Sequence, residues 1–180
     1  MRFTMVAVAV GLLIGVLAGG HPRHMATRSF RFWPLLLTGL ALQVAGAALE
    51  SAAGFALLLS SYLMLLAFAV ANVSMAGMWL VALGVGLNLV VIGVNGGMPV
   101  RPSAVVAAGI AHADEVQGLD IGGKRHLERP SDRLTTLSDI IPVPPLGEVL
   151  SFGDIFMNVG LADVVVHLMR PRRGALAAAQ

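Results

Sequence analysis

The chain has no cysteine, which excludes disulfides, thiolate metal ligands, a cysteine nucleophile and a lipidated cysteine on the chain itself. Charge is scarce as well: Asp, Glu, Lys and Arg are 12% of the residues, against about 25% in a soluble domain. Hydrophobic residues reach 57% and the mean hydropathy is +0.82. One soluble core of 180 residues could not hide that much apolar surface, whereas a bilayer can. Aromatic residues are only 6% and no basic stripe interleaves with them, so the pI of about 9.9 does not point to nucleic acid. No HExxH or similar ligand spacing occurs, and no glycine-rich phosphate cradle, so neither metal nor cofactor is expected.

Five apolar stretches are present, at about 3–20, 33–49, 52–71, 77–94 and 149–169, each close to the roughly 20 residues that cross a bilayer. The expected fold class is all-α: a multi-span helical membrane protein of about five transmembrane helices. Residues 1–169 form one domain, with an outer loop or lid at 95–148 and a cytoplasmic, disordered tail at 170–180. In the first stretch Gly11 and Gly15 stand in small-xxx-small spacing, which lets helices approach closely in lipid. A signal peptide ending at Leu17-Ala-Gly-Gly20 is the rival, but Arg23, Arg28 and Arg31 follow and keep the next loop cytoplasmic.

Trp33-Pro34 opens the second stretch, and Glu50-Ser51 makes a tight turn into the third, giving an antiparallel hairpin lined by Gly39, Gln43 and Gly46. Ser60, Ser61 and Tyr62 lie in the middle of the third, where a hydroxyl can bond back to its own helix. On the fourth, Gly77, Gly84, Asn88, Val91 and Asn95 share one face, a close-packing seam carrying amides. The outer segment opens with a short apolar helix, capped by Ser103 and lying on the membrane surface. Its middle, about 112–133, is polar. Its end, from Leu134 to Gly147, holds three prolines and is expected to run extended against the helix ends.

The positive-inside rule sets the orientation. Arg23, Arg28 and Arg31 lie on one side with Arg170, Arg172 and Arg173, and the segment between spans four and five has seven acidic residues against five basic. A multi-pass protein of the plasma membrane is expected, its N-terminus outside and its C-terminus in the cytoplasm.

Four motifs carry a resemblance: Asn95-Gly-Gly-Met-Pro-Val-Arg-Pro102, Lys124-Arg-His126, Ser138-Asp-Ile-Ile-Pro142 and Ser151-Phe-Gly-Asp-Ile-Phe156. The chain is similar through them to a family of small bacterial integral membrane proteins defined only as a domain of unknown function. The resemblance implies the architecture and no activity.

Ionisable groups at membrane depth are costly and often mark function, which singles out the fifth stretch. On a helix Asp154 and Asn158 share one face, while Asp163 and His167 share nearly the opposite one and can pair at i,i+4. Asp154 can also accept backbone N–H groups at the start of its helix. Asn88, Asn95, Asp139 and His126 complete the candidate functional residues, and no catalytic residue is assigned. The leading expectation is a binding or scaffolding component of the cell envelope acting through its outer lid on a protein or lipid partner. The alternative is a small-solute, ion or proton-coupled transporter with a polar path through Asp154, Asn158 and Asn88, in a homo-oligomer. The third is an outer-leaflet enzyme in which His126 activates Ser131 or works with Asp139. The bilayer itself is the first partner.

Overall fold

Helices apolar on every side have no wet face to orient them, so their small residues decide how they pack. A computed structural model describes residues 2–171. Its elements are α1 (Arg2–Leu17), α2 (Trp33–Ala48), α3 (Ala52–Ala71), α4 (Met78–Asn95), β1 (Met98–Val100), α5 (Pro102–Ala107), β2 (Arg125–Leu127), β3 (Ile141–Val143), β4 (Glu148–Leu150) and α6 (Phe152–Met169). The tail from 172, with Arg172 and Arg173, lies outside the described residues.

Among the described residues three helices, α3, α4 and α6, are long and apolar enough to cross a membrane. α1 and α2 have 16 residues each, about 24 Å at 1.5 Å per residue, short of the roughly 30 Å hydrocarbon layer. The expectation of about five spans is therefore met in its three longest members, with two shorter apolar helices beside them.

The main helix contacts run in an arc: α1 against α6, α6 against α4, α4 against α3, and α3 against α2. Glycines set each close approach. A Cβ on Gly11 would lie 2.8 Å from the Ala162 carbonyl oxygen, and one on Gly160 2.6 Å from that of Gly77. The expected α2–α3 hairpin forms. Ser51 caps α3 by accepting from the Gly54 N–H at 3.3 Å, and Gly46 sits against Gly54 and Leu58. Ser61 bonds back to the Leu58 carbonyl at 2.6 Å. Partners along the helices show alternating directions, except that α1 and α6 run parallel. Arg23, Arg28 and Arg31 consequently lie at the same end as Arg170, whose carbonyl accepts from the Arg28 guanidinium at 3.4 Å.

The segment after α4 differs from its expected form. The expected short helix forms as α5, but the rest is not an extended strap: β1 and β2 pair in parallel and β3 and β4 antiparallel, making a small folded cap. Strands of three residues are too short to leave an alternating pattern in sequence, and prolines inside them obscure it further. Ser103 is not the cap of α5. The N-cap is Arg101 without a side-chain bond, and Pro102 begins the helix, where its missing N–H costs nothing. The apolar residues of α5 do not all turn to the membrane: Ala104 and Val105 are buried with Val100, Val116 and Val149 in the cap's own core. α6 starts at Phe152 rather than at 149, because Val149 and Leu150 belong to β4. Glu148, on the same strand, accepts from the Arg2 and Phe3 amides at 2.9 and 3.0 Å and so ties the cap to the start of α1.

Candidate functional site

Each of the four motifs holds a part of one place. The turn after α4 delivers β1, whose Met98 N–H donates to the Lys124 carbonyl at 2.8 Å and whose register sets Met98 opposite Arg125. Asp139 lies on the other side of β1: its N–H donates to the Pro99 carbonyl at 3.1 Å, and its own carbonyl accepts from Arg101 at 2.9 Å. The Ile140 N–H continues to the Leu150 carbonyl at 3.1 Å, one residue before the cap of α6. Backbone bonds thus fix the position of Asp139 from both sides.

At the start of α6, Ser151 and Asp154 form a capping box. The Asp154 N–H donates to Ser151 Oγ at 3.0 Å, and the Ser151 N–H donates to Asp154 Oδ2 at 3.0 Å. Asn88 of α4 joins this box: its Nδ2 donates to Asp154 Oδ1 at 2.9 Å while its Oδ1 accepts from Ser151 Oγ at 2.9 Å. Gly153 is what admits it, since the Asn88 amide oxygen occupies the space a Cβ would need. Asp154 thereby accepts backbone N–H where the helix dipole favours a carboxylate, as the sequence suggests.

Above this ring, a chamber of about 250 Å³ opens between the cap and α3, α4 and α6. Asn88, Asp154, Asp139, Arg125, Lys124 and Tyr62 line it. The Asp139 carboxylate is 1% exposed and lies 3.1 Å from Arg125 Nη2. Yet neither of its oxygens receives a hydrogen bond; the guanidinium stands close as a charge with its N–H groups directed elsewhere. Burial pushes the Asp139 pKa up to about 7 against the pull of Arg125, with Asp154 adding to the rise. Lys124 gives one of its three N–H groups to the Leu49 carbonyl at 2.6 Å, and has no carboxylate partner among the described residues.

The structure sorts the remaining candidates. Asn158 lies one turn below Asp154 and donates to its carbonyl at 2.8 Å; its own buried oxygen has no partner, and it borders a smaller cavity of about 100 Å³ with Asp154 and Arg125. Asn95 stays outside the chamber, clasping the Arg133 backbone at 2.7 and 2.9 Å. His126 is also outside. Its Nε2 bonds Asp132 Oδ2 at 3.1 Å, rather than Ser131 or Asp139, the partners that the third-ranked enzyme reading would need. Asp163 and His167 do pair, at 2.9 Å, toward the far end of α6. Arg125, Lys124 and Tyr62 are site residues that sequence reasoning did not single out. Arg125 and Lys124 stand inside a quoted motif, which was the one signal available.

The chain belongs to a family of unknown function, DUF5317, whose model matches residues 27–166. The resemblance carried by the four motifs is therefore correct as to a domain of unknown function, and the match takes in every residue of the chamber while leaving out α1. No curated protein and no solved structure matches the chain.

Proposed function

We propose that the protein is an integral membrane binding protein, crossing the plasma membrane with α1, α2, α3, α4 and α6, whose site is the chamber beneath the cap. The N-terminus and the cap lie outside and the arginine-bearing end in the cytoplasm, in accord with the positive-inside rule. α1 and α2 cross by local thinning of the bilayer, a modest cost per ångström of mismatch. The single observation behind the reading is Asp139: a buried carboxylate with no hydrogen-bond donor, facing a chamber. An unmet buried acceptor costs about 1–3 kcal/mol, more when charged, so a ligand that brings N–H or O–H donors recovers that cost on binding. The cap is then a lid that completes a site, and the partner expected to engage its outer surface binds beneath it instead.

The transport alternative fares less well against the same geometry. Below Asp154 and Asn88 a second cavity is walled mostly by apolar residues such as Val85, Leu161 and Val164, with Thr4 and Gln43 its further polar side chains, so a bare ion would lose most of its polar partners there. To test binding, the full chain in detergent at pH 8 is melted with methylammonium or with tetramethylammonium at equal ionic strength. At ten times its dissociation constant a ligand raises the melting temperature by roughly 3 °C. Methylammonium is expected to do so and tetramethylammonium, which has no N–H, is not; Asp139→Asn is expected to abolish the difference. Equal effects of both cations on the native chain would refute the chamber as a donor-selective site.

A further inference from the structure

A second cavity, of about 360 Å³, lies within the arc of helices and shares Tyr62, Asn88 and Asp154 with the chamber. Apart from Thr4 and Gln43 its other walls are apolar, from Val85 and Leu161 down to Phe68 and Val164. Resting on the chamber as a binding site, we propose that the ligand is a membrane lipid with a primary ammonium and an anionic phosphate in its head, one of whose chains lies in this cleft.

Length and charge agree on that occupant. Along α6 the cleft runs from Asp154 to Val164, ten residues or about 15 Å, which is half of the roughly 30 Å hydrocarbon layer and so the depth of one leaflet. Its polar mouth is at the capped end of α6, and its far end lies among Phe30, Phe68 and Met78, toward the arginine-bearing end of the helices. At the mouth the charges come in both signs: Asp139, 3.1 Å from Arg125 Nη2, together with Asp154 and Lys124. An ammonium supplies the donors that the Asp139 oxygens lack. A phosphate meets the two N–H groups that Lys124 does not spend on Leu49. A zwitterionic head adds no net charge to the chamber, so its burial leaves no charge unpaired.

The head must select the ligand, because a chain gains no hydrophobic energy by leaving lipid for an apolar cleft. That makes the inference separable from simple lipid adhesion. The full chain is exchanged into detergent with phosphatidylethanolamine or phosphatidylcholine of identical chains, and retained lipid is counted by native mass spectrometry. One phosphatidylethanolamine per chain is expected to persist, with phosphatidylcholine roughly tenfold weaker, the worth of one charge-assisted hydrogen bond. Asp139→Asn is expected to remove the preference. Leu161→Trp, which fills the cleft, is expected to lower lipid retention about tenfold while methylammonium still raises the melting temperature, a sign that the variant folds and its chamber is intact. Equal retention of both lipids by the native chain, or undiminished retention by Leu161→Trp, overturns the lipid while leaving the chamber standing if methylammonium binds. Failure of methylammonium as well overturns both.

Discussion

Asp139 is a carboxylate buried at a cost, and its protonation makes that cost measurable. Its pKa rises from 3.8 to about 7 on folding, so between those values the folded state holds more protons than the unfolded. Stability then falls as pH rises through that window, and the contribution present below about pH 4 is gone above about pH 7. Asp139→Asn, which cannot ionise, is expected to melt higher than the native chain at pH 8.5 by an amount equivalent to at most about 4 kcal/mol. The gap should close toward pH 4.5. A gap that does not change with pH would mean that Arg125 keeps the carboxylate charged throughout. Glu148 titrates with the opposite sign: burial acts upward, but the bonds it accepts, those from Phe3 and Arg2 among them, hold its pKa below the ordinary value. The stability it adds is lost as pH falls. In the sequence Asp139 is one carboxylate among seven in the outer segment; its place in the Ser138-Asp-Ile-Ile-Pro142 motif marks it as a candidate, but nothing there shows that it is buried. Its burial comes from backbone bonds to β1 and from Leu150, which lie 39 and 11 residues away or more along the chain and leave no local pattern. Asp154 was legible because an acid inside an apolar stretch is conspicuous in itself.

Two elements, α4 and α6, meet through a polar knot at one end and glycines along their length, and the knot should behave as a unit. Ser151→Ala removes the cap, worth about 0.5–2 kcal/mol, and orphans the Asn88 oxygen, about 1–3 kcal/mol more. Asn88→Ala removes a donor to Asp154 and the acceptor of the Ser151 hydroxyl together. Since the two residues share a bond, the double variant is expected to lose about 1 kcal/mol less than the sum of the singles in unfolding experiments. Strict additivity would show that the ring of bonds is not energetically closed. The helices were legible for the reason that makes the knot necessary: long apolar runs bounded by glycine, proline and arginine admit few alternatives in lipid. Asn88 on the seam of α4 followed from seven-residue spacing with Gly84 nearby. The strands did not, because three residues cannot show a period, and the motif resemblance marked their positions without revealing their pairing.

For the whole molecule the open question is whether the short helices cross, and direction alone can answer it. Ala26 and Ser131 are both exposed and are separated by α2, α3 and α4. If each of those helices crosses, the two residues stand on opposite sides of the membrane. With no native cysteine, a single cysteine at either position reports without background. Whole cells treated with a membrane-impermeant maleimide are expected to label Ser131→Cys and to spare Ala26→Cys until the membrane is opened. Labelling of Ala26→Cys alone would invert the orientation and move the chamber to the cytoplasmic leaflet, where it would have to draw on a different pool of lipid. Labelling of both would mean that α2 dips into the bilayer without crossing. The arginines after α1 would then lie outside against the positive-inside rule, and the cleft would open sideways past α2. The expected pattern is the one in which the cap, the chamber and the ammonium-bearing heads of the outer leaflet all stand at the same depth.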